Sequence, residues 1–175
     1  VIAQGLEAGG HRGHFLSMDL TEQAGLFALL PRIVQAVSVP VIAAGGIANA
    51  QGVAAVMALG AAGAQVGTAY LLCPEANTSA VHRAALQSPA AGHTALTTLF
   101  SGRPARSIVN RVIRELSPLS APTPAFPLAA LAIAPLRAKA ESLGSGDFSP
   151  LWSGQNASGC KAIGAAALTL ELVGG

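Results

Sequence analysis

The beginning of the chain constrains the fold most, because it places a buried strand directly before a glycine-rich loop. Residues 1–3 are apolar, which is typical of the end of a parallel strand that is covered on both faces. The next residue is Gln4, and the loop after it holds His11 among four glycines: Gly5, Gly9, Gly10 and Gly13. Glycine lets a backbone approach a ligand closely and adopt positive φ angles. This pattern indicates a (β/α) barrel that presents a catalytic group at the carboxyl ends of its strands.

Two further predicted strands end in glycine turns. Residues 41–44 form a short apolar strand before the glycines at 45–46, and residues 64–66 form another before Gly67 and Thr68. A helix lies between the two strands, and Asn49 is its predicted N-cap. Short strands that alternate with helices predict a parallel sheet.

We expect the two glycine turns to bind a phosphate group, since turns after two adjacent late strands form the usual phosphate site of such a barrel. The donors would be backbone N–H groups and one neutral hydroxyl, contributed by Gly46, Ile47, Gly67 and Thr68. The alternative is that the glycines only make tight turns. The repetition of the turn in adjacent units favours phosphate binding, but it does not identify the phosphate compound.

The remaining sequence predicts mostly helices. They are expected at residues 30–37, 79–87, 105–116, 127–143 and 159–172, and the helix at 127–143 is expected to be interrupted by Pro135. One further strand, a fourth of the barrel type, is expected at 94–100. Pro31 fits the first turn of its helix, where a missing N–H costs nothing. Residues 117–127 hold four prolines and are expected to form a connecting loop. Four arginines between residues 103 and 114 are interpreted as a solvated helix face, with an anion site as the alternative.

The segment from Gln4 to Gly13 resembles the signature of the bacterial nitronate monooxygenases, which are FMN-dependent TIM-barrel enzymes. The resemblance recurs at residues 43–47, 65–68, 100–106 and 152–155. It implies an α/β fold that is the C-terminal half of a TIM (β/α)8 barrel, with parallel strands and a helical C-terminal extension. Residues 1–116 would be that half of the FMN-binding barrel. Residues 117–175 would be a proline-rich connection and helices that pack on the same domain.

The same resemblance implies a reaction and a set of site residues. The enzyme would use FMN and O2 to oxidise alkyl nitronates to carbonyl compounds and nitrite. His11 would be catalytic, either holding the nitronate by a hydrogen bond or acting as a base toward a neutral nitroalkane. The FMN-binding positions would be Gln4, Gly9, Gly46, Gln65, Val66, Gly67 and Thr68. Trp152 would lie near the flavin, or it would serve only as an aromatic anchor.

A full barrel typically needs about 250 residues, so we expect these 175 residues to lack the N-terminal half of the barrel. Open strand edges would then favour self-association or aggregation of these residues alone. A homo-oligomer is a separate expectation. The net charge of +2 argues against a nucleic-acid partner. No segment approaches the roughly 18 apolar residues of a membrane span. Cys73 and Cys160 lack a metal or redox spacing, which makes a cytoplasmic location the default.

Several alternatives remain open at this point. FMN-dependent enoyl-[acyl-carrier-protein] reductases share the Ala-Gly-Gly-His element that ends at His11 and the glycine turns. A flavin-free barrel that binds a phosphorylated sugar would fit the glycine turns alone, and a non-catalytic half-barrel would need no substrate. A metal site at His11 and His14 is disfavoured, because no cysteine or carboxylate cluster accompanies the pair.

Overall fold

The computed structural model describes residues 1–17 and 19–174, and the chain divides into two compact units. The first unit comprises Val1–Ala8, Gly13–Ala76 and Gly154–Gly175, and the second comprises Gly9–Arg12 and Asn77–Ser153. The strands are β1 (Ile2–Gln4), β2 (Gly10–His11), β3 (Ile42–Ala44), β4 (Gly63–Gln65), β5 (Thr94–Thr97) and β6 (Ala105–Ile108). The α-helices are α1 (Leu26–Ala36), α2 (Ala50–Ala58), α3 (Ala80–Leu86), α4 (Arg111–Leu116), α5 (Leu128–Ser142) and α6 (Ala165–Val173).

The first unit is built on a parallel sheet with the order β1-β3-β4. This confirms the parallel α/β arrangement and the strands predicted at residues 1–3, 41–44 and 64–66, with each boundary displaced by one residue at most. The sheet and the helices beside it share one apolar core, formed by Ala3, Leu26, Leu30, Val41, Ala43, Ile47, Val56 and Ala61. Ala43 and Ala44 of the central strand are buried, but Val1 and Ile2 are more than half exposed and no residue of β4 is buried. The expectation that the first strand is covered on both faces is therefore wrong.

Helix α1 begins earlier than its sequence pattern predicts. Both carboxylate oxygens of Glu7 accept hydrogen bonds from the Leu26 N–H group, at 3.0 and 2.9 Å, and this contact satisfies a donor at the start of the helix. Pro31 consequently lies inside the helix and not in its first turn, so that prediction is wrong. The predicted cap of α2 is confirmed, because the Asn49 side chain accepts a hydrogen bond from the Gly52 N–H group at 2.9 Å.

The C-terminal helix α6 begins at Ala165, several residues after the predicted start at residue 159. A carboxylate from another part of the first unit, that of Glu75, accepts a hydrogen bond from the Ala165 N–H group at 3.0 Å. Residues 154–160 instead have neither helix nor strand structure, with a turn at residues 158–159.

The second unit contains an antiparallel sheet with the order β2-β6-β5. Two predictions are wrong here. Residues 94–97 form a strand, but it is antiparallel and is not a fourth barrel-type strand. Residues 105–108 were expected to begin a helix and instead form β6, whose four residues are all buried. Pairing with β5 and β2 overrides the local helical preference, and the helix begins only at Arg111.

Burial of β6 also changes the interpretation of the arginine cluster. Arg106 is 5% exposed and donates a hydrogen bond to Thr94 Oγ1 at 3.2 Å, so it does not belong to a solvated helix face. Arg111 and Arg114 do lie exposed on α4. The helices predicted at 79–87 and 127–143 are confirmed as α3 and α5, although α5 continues through Pro135 without the expected interruption. In the described part of the chain, no helix combines the length and apolar character needed to cross a membrane.

Candidate functional site

Most of the predicted cofactor-binding residues meet at one edge of the parallel sheet in the first unit. Gln4 ends β1 and Gln65 ends β4, and both are in register with Ala44 of the central strand. The turn at residues 45–46 follows β3, and the turn at residues 66–68 follows β4. Because the strands are parallel and adjacent, their carboxyl ends place these side chains and turns beside one another.

The first glycine turn requires glycine for backbone reasons. Gly45 has a φ angle of 117° and Gly46 has one of 72°, which are conformations that other residues adopt only with strain. A Cβ atom on Gly45 would also lie 3.0 Å from the Ala8 backbone nitrogen. The two glycines therefore make this turn possible, whether or not a ligand binds.

Gly67 in the second turn is different, because neither its backbone nor the surrounding protein requires glycine. Its φ angle is −109°, and a Cβ atom built on it would have no neighbour within 4 Å among the described residues. The absent side chain leaves open space at the edge of the sheet, next to the Thr68 hydroxyl. A phosphate group could occupy this space and approach the backbone N–H groups.

Thr68 is held from two sides by the segment at residues 154–160. Its Oγ1 atom accepts a hydrogen bond from the Gly154 N–H group at 2.9 Å, which leaves its own proton available for a further acceptor. Its carbonyl oxygen accepts from Cys160 Sγ at 3.1 Å. Burial and, to a smaller extent, the neighbouring Cys73 raise the pKa of the Cys160 thiol to about 11. The thiol therefore stays protonated and donates this hydrogen bond.

Sequence reasoning missed Asn156, which contacts the other turn. Its Nδ2 atom donates to the Gly46 carbonyl oxygen at 3.1 Å. Its Oδ1 atom accepts from Ser158 Oγ at 2.7 Å and from the Ser158 N–H group at 3.2 Å. The local Asn-x-Ser pattern could have indicated the turn, but not the contact with a glycine 110 residues away.

The side chain of Gln4, which was predicted to bind FMN, makes a hydrogen bond within the protein. Its Oε1 atom accepts a hydrogen bond from the Gly13 N–H group at 2.7 Å, which closes the glycine-rich loop at its far end. Two other residues that were predicted to bind FMN lie at the carboxyl end of strand β4 in the same sheet: Gln65 is exposed, and Val66 packs against the apolar core.

The predicted catalytic residue, His11, lies in the second unit at the end of strand β2. Its Nε2 atom is 2.7 Å from Ser101 Oγ. The Ser101 hydroxyl also donates to the Arg103 carbonyl oxygen at 3.2 Å and accepts from the Arg103 N–H group at 3.3 Å. Since a serine hydroxyl has one proton, this network makes His11 Nε2 the donor to Ser101 when the hydroxyl points at Arg103.

Two aromatic side chains lie beside the imidazole of His11. Its centroid is 5.4 Å from the nearest ring centroid of Trp152 and 6.4 Å from that of Phe126. The Trp152 ring also packs edge-on against Phe100 at 5.5 Å, and the Trp152 carbonyl oxygen accepts from His82 Nε2 at 3.1 Å. Trp152 is thus an aromatic anchor within the second unit, and the imidazole is one of the groups it contacts.

Desolvation and, to a smaller extent, the positive charge of Arg103 lower the pKa of His11 from its ordinary value. The Arg103 guanidinium itself lies over the Phe126 ring, at 5.8 Å from the centroid. Desolvation and the Arg103 charge both favour the neutral imidazole at physiological pH, and a neutral imidazole can accept a proton.

The remaining predicted residue, Gly9, precedes β2 in the second unit with His11. The structure therefore brings Gln4, Gly46 and residues 65–68 together in the first unit, and it places Gly9 and His11 in the second. Within residues 1–17 and 19–174, no three His, Cys, Asp or Glu side chains are arranged to hold a metal ion.

Comparison with known proteins gives consistent matches. A sequence model of a family described as nitronate monooxygenase matches residues 1–174. A nitronate monooxygenase from Pseudomonas aeruginosa is 41% identical over 174 residues, which are 99% of this chain and 50% of that protein. The chain therefore spans about half the length of this curated relative.

Solved structures show the same similarity in three dimensions. A nitroalkane oxidase from Streptomyces ansochromogenes is 41% identical with a TM-score of 0.90, and the match covers 99% of this chain and 50% of that one. FabK from Thermotoga maritima is 27% identical with a TM-score of 0.77, and the match covers 99% of this chain and 53% of that one.

Proposed function

The chain belongs to the nitronate monooxygenase family, and we propose that its protein oxidises alkyl nitronates with O2 and bound FMN, giving carbonyl compounds and nitrite. The observation that carries this proposal is the 41% identity to a nitronate monooxygenase over 174 residues. This similarity is well above the 27% identity to FabK.

The residues at the carboxyl edge of the parallel sheet fit a flavin phosphate. Gly67 leaves space that no described side chain fills, and the Thr68 hydroxyl has a proton to donate beside it. We assign the phosphate to Gly46, Gly67 and Thr68, and further contacts with FMN to Gln4, Gly9, Gln65 and Val66. When bound, FMN would supply the electron transfer and the chemistry with O2.

His11 is the proposed catalytic residue. Its lowered pKa keeps the imidazole neutral, so it can take a proton from a neutral nitroalkane. When Nε2 donates to Ser101, the Nδ1 atom is the acceptor nitrogen in that tautomer. The Arg103 charge that lowers the pKa of His11 would also attract an anionic nitronate toward the imidazole.

For the fold, we propose that residues 1–116 contribute the C-terminal half of a TIM barrel and that residues 117–175 are its proline-rich connection and helical extension. The parallel strands β1, β3 and β4 support this proposal, and β5 and β6 would be an antiparallel addition. We also propose a cytoplasmic location, since Cys73 and Cys160 are both free thiols.

The test is a purification of the full-length protein followed by three measurements. We expect visible flavin absorbance, release of FMN on denaturation, and nitronate-dependent O2 consumption with formation of nitrite. Anaerobic addition of NAD(P)H should not reduce the flavin. Rapid reduction by NAD(P)H would favour an enoyl-[acyl-carrier-protein] reductase, and a colourless protein would favour a flavin-free barrel.

A further inference from the structure

We propose that Asn156 is a positioning residue for the cofactor phosphate, acting by fixing the orientation of the peptide bond between Gly46 and Ile47. This inference rests on the proposed FMN function. Asn156 does not itself contact the phosphate in this proposal. It holds the carbonyl end of the peptide, and the N–H end is the predicted phosphate donor.

The geometry of the peptide bond links the two ends. In a planar trans peptide, the carbonyl of one residue and the N–H of the next point in opposite directions. The Asn156 Nδ2 atom draws the Gly46 carbonyl oxygen toward itself at 3.1 Å. The Ile47 N–H group must then point away from Asn156.

The turn needs such a hydrogen bond because its glycines can adopt several backbone conformations. Gly45 and Gly46 have φ angles of 117° and 72°, and glycine also adopts other conformations at low cost. A peptide next to such residues could rotate and exchange the positions of its carbonyl and N–H groups. One hydrogen bond to the carbonyl selects a single orientation and prepares the donor before the ligand arrives.

Asn156 is itself held, so its amide orientation is defined. The Oδ1 atom accepts twice from Ser158, which directs the Nδ2 atom toward Gly46. Immediately before it, the Gln155 N–H group donates to the Glu7 carbonyl oxygen at 2.9 Å. After it, Gly159 packs so closely that a Cβ atom there would lie 2.1 Å from the Ala48 carbonyl oxygen. The segment thus sits firmly against the turn.

The same segment reaches the second glycine turn. Gly154 donates to Thr68 Oγ1, and Cys160 donates to the Thr68 carbonyl oxygen. We call residues 154–160 the clasp, since it contacts both turns that are assigned to the phosphate. Within the clasp, Asn156 provides the side-chain contact with the Gly45–Gly46 turn, and this makes it the residue to test.

The experiment compares FMN with riboflavin, which lacks only the phosphate, in the full-length protein. Titrations of the apoprotein would be made with the wild type, Asn156→Ala and Asn156→Asp. Asn77→Ala serves as the control, because Asn77 is an exposed asparagine of the second unit. Asn156→Asp keeps acceptors for Ser158 but presents an oxygen instead of a donor to the Gly46 carbonyl.

We expect Asn156→Ala to bind FMN about 3- to 10-fold more weakly, the loss typical of one hydrogen bond, and to bind riboflavin as the wild type does. Asn156→Asp should lose at least as much FMN affinity, because its carboxylate also repels the Gly46 carbonyl oxygen and the phosphate. The preference for FMN over riboflavin would therefore fall, and Asn77→Ala would keep it. A wild-type preference that survives in both variants would overturn the role of Asn156. An equal loss for both ligands would also overturn it, since it would indicate a purely structural role. A wild-type protein that binds FMN no better than riboflavin would instead disprove the phosphate site.

Discussion

The Nε2 atom of His11 lies 2.7 Å from the Oγ atom of Ser101, a residue 90 positions later in the chain. This contact fixes one nitrogen of the imidazole and joins it to the Arg103 backbone through the same hydroxyl. It gives the proposed catalytic residue a defined orientation within the second unit.

Replacing His11 by alanine should leave the FMN content nearly unchanged and lower turnover of a nitroalkane or nitronate. Loss of a positioned acid–base group typically costs on the order of 10²–10⁴-fold in rate. Steady-state O2 consumption measures the effect. His14→Ala is the matched control, since His14 contacts Gln23 and Glu22 of the first unit. Unchanged rates with both substrate forms would remove His11 from the mechanism.

Replacing Arg103 by glutamine should raise the pKa of His11, because it removes a positive charge that disfavours the imidazolium. Activity toward a neutral nitroalkane needs the neutral imidazole, so it falls as the pH drops through the His11 pKa. The acid limb of the pH–rate profile should therefore move to higher pH in this variant. Arg111→Gln, at an exposed arginine paired with Glu115, should leave the limb in place. A limb that stays in place in Arg103→Gln would contradict this electrostatic role.

Replacing Gly67 by valine should weaken FMN binding without destabilising the protein. The φ angle of −109° suits any residue, and the added side chain meets no described atom within 4 Å at its Cβ. It would fill the space assigned to the phosphate, and loss of a charge-assisted hydrogen bond costs about 1.5–3 kcal/mol, or at least about tenfold in affinity.

Thermal unfolding and flavin titration separate the two effects of Gly67→Val. Gly92→Val is the matched control, because a Cβ atom on Gly92 also has no described neighbour within 4 Å. It should retain FMN affinity. Full FMN binding by Gly67→Val would place the phosphate elsewhere.

Replacing His82 by glutamine should reduce the pH dependence of stability. Burial lowers the pKa of His82 below its ordinary value of 6.5, although the hydrogen bond to Trp152 opposes the shift. At a pH near 6.5 the unfolded state therefore binds a proton at His82 more readily than the folded state. The contribution of neutral His82 to the free energy of unfolding is complete above about pH 6.5, and it is lost as the pH falls toward the pKa of His82 in the folded protein.

Glutamine can keep a donor for the Trp152 carbonyl but does not titrate. Urea unfolding at several pH values gives the free energy of unfolding as a function of pH. In the variant, the slope of this dependence should be smaller by at most about 1.4 kcal/mol per pH unit, which is the limit for one proton. His93→Gln, at an exposed histidine of the same unit, is the control. An unaltered slope in His82→Gln would show that His82 does not contribute to this dependence.

Much of the first unit could be predicted from its sequence. The short apolar strands, the Asn49 cap and the glycine turns depend on neighbouring residues, and the structure confirms their places. Local signals failed in the second unit. Residues 105–108 form a strand only because β5 and β2 supply partners for their backbone groups.

By itself, the sequence determined the alternation of strands and helices and the glycine turns that follow the strands, because hydrophobic periodicity and turn chemistry act over a few residues. Tertiary structure alone decided the contacts that orient the candidate site. Glu7 caps a helix 19 residues later, Ser101 meets His11 across 90 residues, and Asn156 meets Gly46 across 110. No local pattern encodes such pairs, since each hydrogen bond exists only after the packing of the apolar core has brought distant segments together.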